Sequence, residues 1–231
     1  MKQIVVLAGG LGTRMLPASR HTPKVLLEVA GRPFLDHLLD RFASCGFDEA
    51  LLLVGHLAAS IERHLARAAP PLPVHLAHDP PGPGGTGRAL VAAGARLAED
   101  FVLTYGDAWP SVDPAAPLAT LRADPAALGC MLVMPASRAP TAADLPNTSV
   151  RGRHVARYEK GVRDPELDHL DAGVLALRRC AVTPAYVHLA DLQRDLAQRG
   201  ALLAFVTADP TFELGSPEGK VALAAALERP A

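Results

Sequence analysis

Gly9, Gly10 and Gly12 follow directly on the aliphatic run Ile4-Val5-Val6-Leu7-Ala8, and the basic residues Arg14 and Lys24 come soon after. Three glycines in four positions let a backbone approach a polyphosphate and present its N–H groups without side-chain obstruction. The two cations supply countercharge. One can grip β and γ phosphates and offset charge on departing pyrophosphate, while the other orients the α phosphate for in-line attack. Taken alone, G-G-x-G reads more readily as a turn beside two exposed basic residues. Two rival phosphate loops do not fit: the run G-G-L-G-T-R lacks the third glycine of G-x-G-x-x-G, and no lysine follows a G-x-x-x-x-G frame.

Such a loop needs a rigid strand before it. Residues 4–8 form a β-branched and aliphatic run with the character of a strand buried on both faces of a parallel sheet. Phe34, Leu35, Leu38, Leu39 and Phe42 then recur at helical spacing, with Gly46 placed to stop that helix. A second buried strand is expected over 50–54, a helix over 57–68, and a short strand over 74–77 after the prolines at 70, 71 and 73. Thr86 can cap a helix running through Leu97, and 101–104 reads as a strand closing on Tyr105-Gly106-Asp107. This alternation predicts an open, doubly wound, Rossmann-like α/β sheet that binds ligands outside the carboxyl ends of its strands. From about residue 130 the rhythm changes, with strands over 130–134, 149–151, 155–158 and 172–177 and little helix between them. That half is expected to be mixed or antiparallel, followed by a helix over 189–198 with Gly200 at its end, a strand over 202–206 and a helix over 218–227. No linker divides the chain. Residues 1–231 read as one domain, with the half over 130–231 a substrate-binding extension of the core formed by 1–129.

The stretch Gly9-Gly10-Leu11-Gly12-Thr13-Arg14, followed by Thr22-Pro23-Lys24 and an aliphatic segment leading into Gly31-Arg32-Pro33-Phe34-Leu35, resembles the nucleotidyltransferases that activate sugar 1-phosphates. Further matches extend over nearly the whole chain. Gly85-Thr86-Gly87 is similar to the family's base-binding turn, and these residues also open a helix toward an anion; the run P-G-P-G-G-T-G is otherwise simply a flexible turn. Together with Leu7, Ala8 and the loop through Thr13 and Arg14, Gly85, Thr86 and Asp107 are the implied nucleotide contacts. Asp107 matches the aspartate that coordinates magnesium in the family, a role suited to a carboxylate at the carboxyl end of a strand. Its plainer reading is a solvated turn residue.

Glu159-Lys160 resembles the family's E-K element, which implies that the glutamate holds sugar hydroxyls and the lysine meets the sugar phosphate. A lysine there would reduce repulsion between two anionic reactants. A solvated ion pair is the alternative. Asp171-Ala172-Gly173 is similar to the strand beside the sugar, and Asn147 falls where a sugar-contacting loop is expected, although such asparagines also serve as turn formers. Glu213, in Glu213-Leu214-Gly215-Ser216-Pro217-Glu218, stands where the family has the second metal-binding aspartate. The extra methylene leaves the reaction class alone but puts the metal geometry in question.

The resemblance therefore implies a magnesium-dependent enzyme joining an NTP to a sugar 1-phosphate, with Arg14, Lys24 and Lys160 as the catalytic cations. The lean is toward GTP with heptose or mannose 1-phosphate. Uridylyl or cytidylyl transfer to another hexose or amino-sugar phosphate is the alternative, and a non-catalytic nucleotide-sensing homologue is the rival of another class. A nicotinamide oxidoreductase would need the dinucleotide fingerprint that is missing. Relatives are often dimers, so a homodimer is compatible with the resemblance. The chain shows none of the hexapeptide repeats that mark bifunctional acetyltransferase members.

The 231 residues carry 23 basic and 24 acidic side chains, a balance that provides no general field to gather nucleic acid or an anionic membrane. No stretch is apolar over a membrane span, and the N-terminal run is too short for a secretory core, so a cytoplasmic location is expected. Cys45, Cys130 and Cys180 lack C-x-x-C spacing and are expected as buried thiols. His56, His64, His75, His78 and His154 show no ligand spacing and read as surface or cleft residues.

Overall fold

The computed structural model describes residues 1–10, 12, 15, 17–82, 84–140 and 145–228. Strand β1 (Gln3–Leu7) is followed by the short β2 (Glu28–Val29) and β3 (Arg32–Pro33), helix α1 (Phe34–Ser44), β4 (Glu49–Val54), α2 (Ala58–Leu65), β5 (Val74–His78) and α3 (Thr86–Ala93). Then come β6 (Asp100–Tyr105), β7 (Ala108–Pro110), α4 (Ala116–Arg122), β8 (Gly129–Pro135), β9 (Thr148–Arg151) and β10 (His154–Tyr158). The chain closes with β11 (His169–Arg178), α5 (Leu189–Gln198), β12 (Leu202–Val206), β13 (Thr211–Glu213) and α6 (Pro217–Leu227).

Nine strands make one sheet in the order β5-β4-β1-β6-β11-β8-β12-β10-β9. The first four are mutually parallel. β11 runs antiparallel to both β6 and β8, and β12 returns parallel to β8, so the change of rhythm in the sequence is the reversal of strand direction at β11. Unbroken aliphatic runs are explained by cover on both faces. Ile4 and Val6 point into one core and Val5 into the other, and β4 divides Leu52 and Val54 from Leu51 and Leu53 in the same way. α1, α2, α4 and α6 pack on the first face, α3 and α5 on the second, as expected for a doubly wound sheet.

Differences from the sequence reading have local causes. α3 stops at Ala93 because Gly94 takes φ +47°, after which a 3-10 turn covers Gly94–Arg96. α2 begins one residue later than expected because Leu57 is left-handed at φ 59°. α4 was not anticipated: it is seven residues long with only Leu118 and Leu121 as buried leucines, too short for its periodicity to stand out. The thiols are also not alike. Cys130 is buried in β8, Cys45 is half-buried, and Cys180 is exposed in the 3-10 turn Arg179–Ala181 that follows β11.

Among the described residues, no helix is long and apolar enough to cross a membrane.

Candidate active site at the junction of two cavities

The parallel strands deliver their carboxyl ends to one rim. Leu7 pairs in register with Leu53 on one side and Tyr105 on the other, which sets the glycine turn, the end of β4 and the end of β6 side by side. A cavity of about 470 Å³ opens there, lined by Leu7, Ala8, Gly9, Gly10, Gly12 and Lys24, and across from them by Asp79, Gly85, Thr86, Tyr105, Asp107 and His188. Thr13 and Arg14 lie outside the described residues.

A second cavity of about 490 Å³ lies on the β11 side of Asp107. Asn147, Lys160, Asp171, Gly173 and Glu213 line it, and Tyr105 and Asp107 line both cavities. At this shared wall Lys24 Nζ donates to Asp107 Oδ2 at 2.5 Å, with both side chains largely buried. Lys24 opens the 3-10 turn Lys24–Leu26, anchored by buried Val25.

Glu213 reaches Asp107 through the smallest sheet. β7 and β13 pair antiparallel with Glu213 opposite Ala108, and Leu214 N donates to the Asp107 carbonyl at 2.7 Å. Two acids 106 positions apart in the chain, as read from their numbers, thus face one cavity. The Glu213 carboxylate folds back over Gly215 and accepts from the Ser216 hydroxyl at 3.3 Å. Two such carboxylates suit a hard cation that takes few protein ligands and fills its shell with phosphate oxygens and water. Among the described residues no third acidic, histidine or cysteine side chain joins them, so a bound metal would depend on those substrate oxygens.

Lys160 stands over the ring of Tyr105, 4.8 Å from its centroid, and over that of Tyr158 at 5.9 Å, and donates to the Tyr105 hydroxyl at 3.1 Å. Burial opposes its charge, but Tyr105, Asp171 and Asp107 outweigh that and hold the ammonium above the ordinary lysine range. Burial, reinforced by Asp171, pushes the Tyr105 phenol up to about 12, so it stays neutral.

Several expected contacts turn elsewhere. Glu159 Oε2 accepts from Arg194 Nε at 3.0 Å, and Glu159 lines neither cavity. The Asp171 carboxylate is occupied by protein donors: Gly173 N at 2.9 Å, Tyr158 Oη at 3.1 Å and Gln193 Nε2 at 3.0 Å. Asn147 Oδ1 accepts from Asp171 N and from the Thr148 hydroxyl, so its carbonyl end builds the wall. Thr86 Oγ1 accepts from Leu189 N at 2.8 Å, fastening the turn to the start of α5. The turn at 85–87 is a packed joint instead of a flexible one, since a Cβ at Gly85 would run into the Val187 carbonyl.

Gly173 sits where the β11–β8 register slips, with φ +80° and an added Cβ only 2.6 Å from Ala108 Cβ. Gly173→Ala is therefore expected to destabilise the protein by about 2 kcal/mol or more, through left-handed strain and the clash. A chemical denaturation midpoint unchanged from wild type would contradict that.

Sequence reasoning missed Asp79, Tyr105 as a shared wall, and Gln193. Asp79 had a signal: like Asp107, it is an acid just past the carboxyl end of a parallel strand. Its backbone N–H bonds the Val54 carbonyl at 2.7 Å, and its carboxylate packs against Gly9 and Gly55. Desolvation raises its pKa, with His78 opposing. Of His56, His64, His75, His78 and His154, three have acidic partners: His64 with Asp36 at 2.6 Å, His75 with Glu49 at 3.6 Å and His78 with Glu62 at 3.2 Å.

Residues 4–163 match the model of the MobA-like NTP transferase domain. The chain is 32% identical over 177 residues to a mannose-1-phosphate guanylyltransferase of Mycobacterium tuberculosis, covering 76% of this chain and 48% of that one. It is 34% identical over 105 residues to a UTP–glucose-1-phosphate uridylyltransferase of Haloferax volcanii, covering 46% of this chain and 43% of that one. It thus spans under half the length of these curated relatives. Among solved structures, HddC from Yersinia pseudotuberculosis superposes with a TM-score of 0.79 at 23% identity, over 99% of this chain and 100% of that one, a likeness of fold.

Proposed function

We propose that this chain, which belongs to the MobA-like NTP transferase domain family, transfers a nucleoside monophosphate from an NTP to a sugar 1-phosphate and releases pyrophosphate. The observation that carries this reading is the pair of cavities meeting at Tyr105 and Asp107, with a lysine on each side. The glycine-turn cavity takes the nucleotide, and the β11-side cavity takes the sugar. An oxygen of the sugar phosphate forms the new bond to the α phosphorus while the bond to the β-phosphate oxygen breaks. Lys24, with Arg14, offsets charge on the leaving pyrophosphate, and Lys160 holds the incoming phosphate in line. No general base is required, because the sugar phosphate is already ionised at neutral pH. Magnesium held by Asp107 and Glu213 would neutralise charge on the transferring phosphates. Lys24 and Asp107 satisfy each other, and phosphate and metal contacts would take the place of that bond when substrates bind.

GTP is the proposed nucleotide. A carboxylate only accepts hydrogen bonds, and guanine presents N1–H and the N2 amino group side by side, whereas uracil flanks its one N–H with carbonyls. Asp79, in the nucleotide cavity and with no side-chain hydrogen-bond partner among the described residues, has the chemistry to prefer guanine. The resemblance to a guanylyltransferase over 76% of the chain supports the same choice and favours mannose or heptose 1-phosphate as acceptor. The relative named for uridylyl transfer keeps UTP as the alternative.

Asp79→Asn is expected to lower kcat/KM for GTP about 10- to 100-fold, the discrimination carried by one bidentate base contact. Thermal stability should hold or rise. The raised pKa means that folding disfavours the ionised carboxylate above its ordinary range, so removing the charge at neutral pH relieves that penalty. A variant with wild-type GTP kinetics would remove Asp79 from base selection. Pyrophosphate release, screened with four NTPs against a panel of sugar 1-phosphates and magnesium, tests the reaction itself. Silence across the panel would favour the nucleotide-sensing homologue.

A further inference from the structure

α5 carries a residue that its packing alone does not explain. Leu189, Leu192 and Leu196 fill the core beneath the sheet, and among them Gln193 is only 1% exposed. Its Nε2 donates to Asp171 Oδ2 at 3.0 Å, while its Oε1 is buried with no hydrogen-bond partner among the described residues. A buried acceptor left unpaired costs stability, and an apolar side chain of similar size would avoid that cost. The amide is therefore retained at the expense of the fold, as happens where a position serves function.

Its one bond leads to the site. Asp171 Oδ2 accepts both from Gln193 and from the Tyr158 hydroxyl, the Tyr158 and Tyr105 rings support the Lys160 ammonium, and Tyr105 accepts its hydrogen bond. We propose that Gln193 is a positioning residue which, through Asp171 and Tyr158, fixes the aromatic seat of Lys160 and so sets affinity for the sugar phosphate. Asp171 then serves as the half-buried bracket of that seat instead of a direct ligand of sugar hydroxyls. Bonds sharing one carboxylate oxygen in a poorly solvated site reinforce one another, so loss of either donor loosens the same ring. The inference rests on the reading that Lys160 meets the sugar phosphate.

The test is steady-state kinetics of the full chain, varying GTP and mannose 1-phosphate separately, with the productive pair from the substrate screen used instead if it differs. Lys160→Ala should raise KM for the sugar phosphate and leave KM for the nucleotide near wild type. If it does not, the reading of Lys160 fails and this inference with it. Gln193→Leu should raise KM for the sugar phosphate about fivefold, the effect of one hydrogen bond to a charged group, with nucleotide KM unchanged. Its melting temperature should change little, because loss of the bond to Asp171 and removal of the orphaned acceptor offset one another. Tyr158→Phe, which removes only the hydroxyl, should give a similar selective rise, and the double variant should fall short of the product of the two single effects. A Gln193→Leu protein that melts lower and loses affinity for both substrates alike would show a merely structural role. Wild-type sugar-phosphate KM in Gln193→Leu and Tyr158→Phe, with Lys160→Ala impaired, would overturn the positioning role alone.

Discussion

Lys24→Ala is expected to lower kcat/KM for the nucleotide about 10³-fold, comparable with removal of one preorganised charge from a transition state. The size of the effect follows from placement. Lys24 is held by a 3-10 turn at the mouth of the glycine cavity, with its ammonium 2.5 Å from Asp107 and its side chain only 15% exposed. Pyrophosphate leaves with more charge than it carries in the ground state, so a fixed cation beside it stabilises the transition state more than the bound nucleotide. The loss should therefore appear in kcat as well as in KM. Lys24→Arg should recover little, since the bulkier planar group does not reproduce a compact ammonium. A variant within a few-fold of wild type would exclude Lys24 from the chemistry.

The second large effect is expected at Asp107. Asp107→Ala should lower kcat about 10²- to 10³-fold at saturating substrates and shift the magnesium dependence to much higher concentration, since one of the two carboxylates proposed to hold the metal is gone. Chelation of magnesium should silence the wild type and return it on re-addition. The same variant leaves the Lys24 ammonium without its acceptor, so circular dichroism and the melting temperature must accompany the kinetics. If Lys24 and Asp107 act on one phosphate group, as proposed, Lys24→Ala/Asp107→Ala should be far less impaired than the product of the single losses. Unchanged magnesium dependence in Asp107→Ala would remove this residue from the metal site.

The fold was largely legible because its determinants are local. An aliphatic run buried on both faces marks β1 and β4 in any context, and Phe34, Leu35, Leu38, Leu39 and Phe42 spell one face of α1 without reference to the rest of the molecule. The glycine turn was readable for the same reason. What escaped depends on partners distant in sequence. β7 and β13 have three residues each, too few for an alternation to show, yet their pairing is what brings Glu213 beside Asp107. The resemblance implied that these two acids share a task, and the geometry supplies a route by which they can.

Side-chain direction was the least accessible layer. Asp171 lines the β11-side cavity and Glu159 does not, but α5 presents Gln193 and Arg194 to them and engages both carboxylates. No periodicity in the strands reveals which acid a helix some 20 to 35 positions later will claim, separations set by contacts 171–193 and 159–194. Asp79 is masked in the sequence by the proline and glycine run that follows it, although its place at the end of β5 parallels that of Asp107 at the end of β6.

A crystal structure of the protein with a non-hydrolysable GTP analogue, magnesium and a sugar 1-phosphate is the decisive experiment. The triphosphate is expected along the glycine turn with Lys24 on it, guanine against Asp79, one magnesium within coordination distance of Asp107 and Glu213, and the sugar phosphate at Lys160. A nucleotide bound elsewhere, or a metal that ignores both carboxylates, would contradict this arrangement.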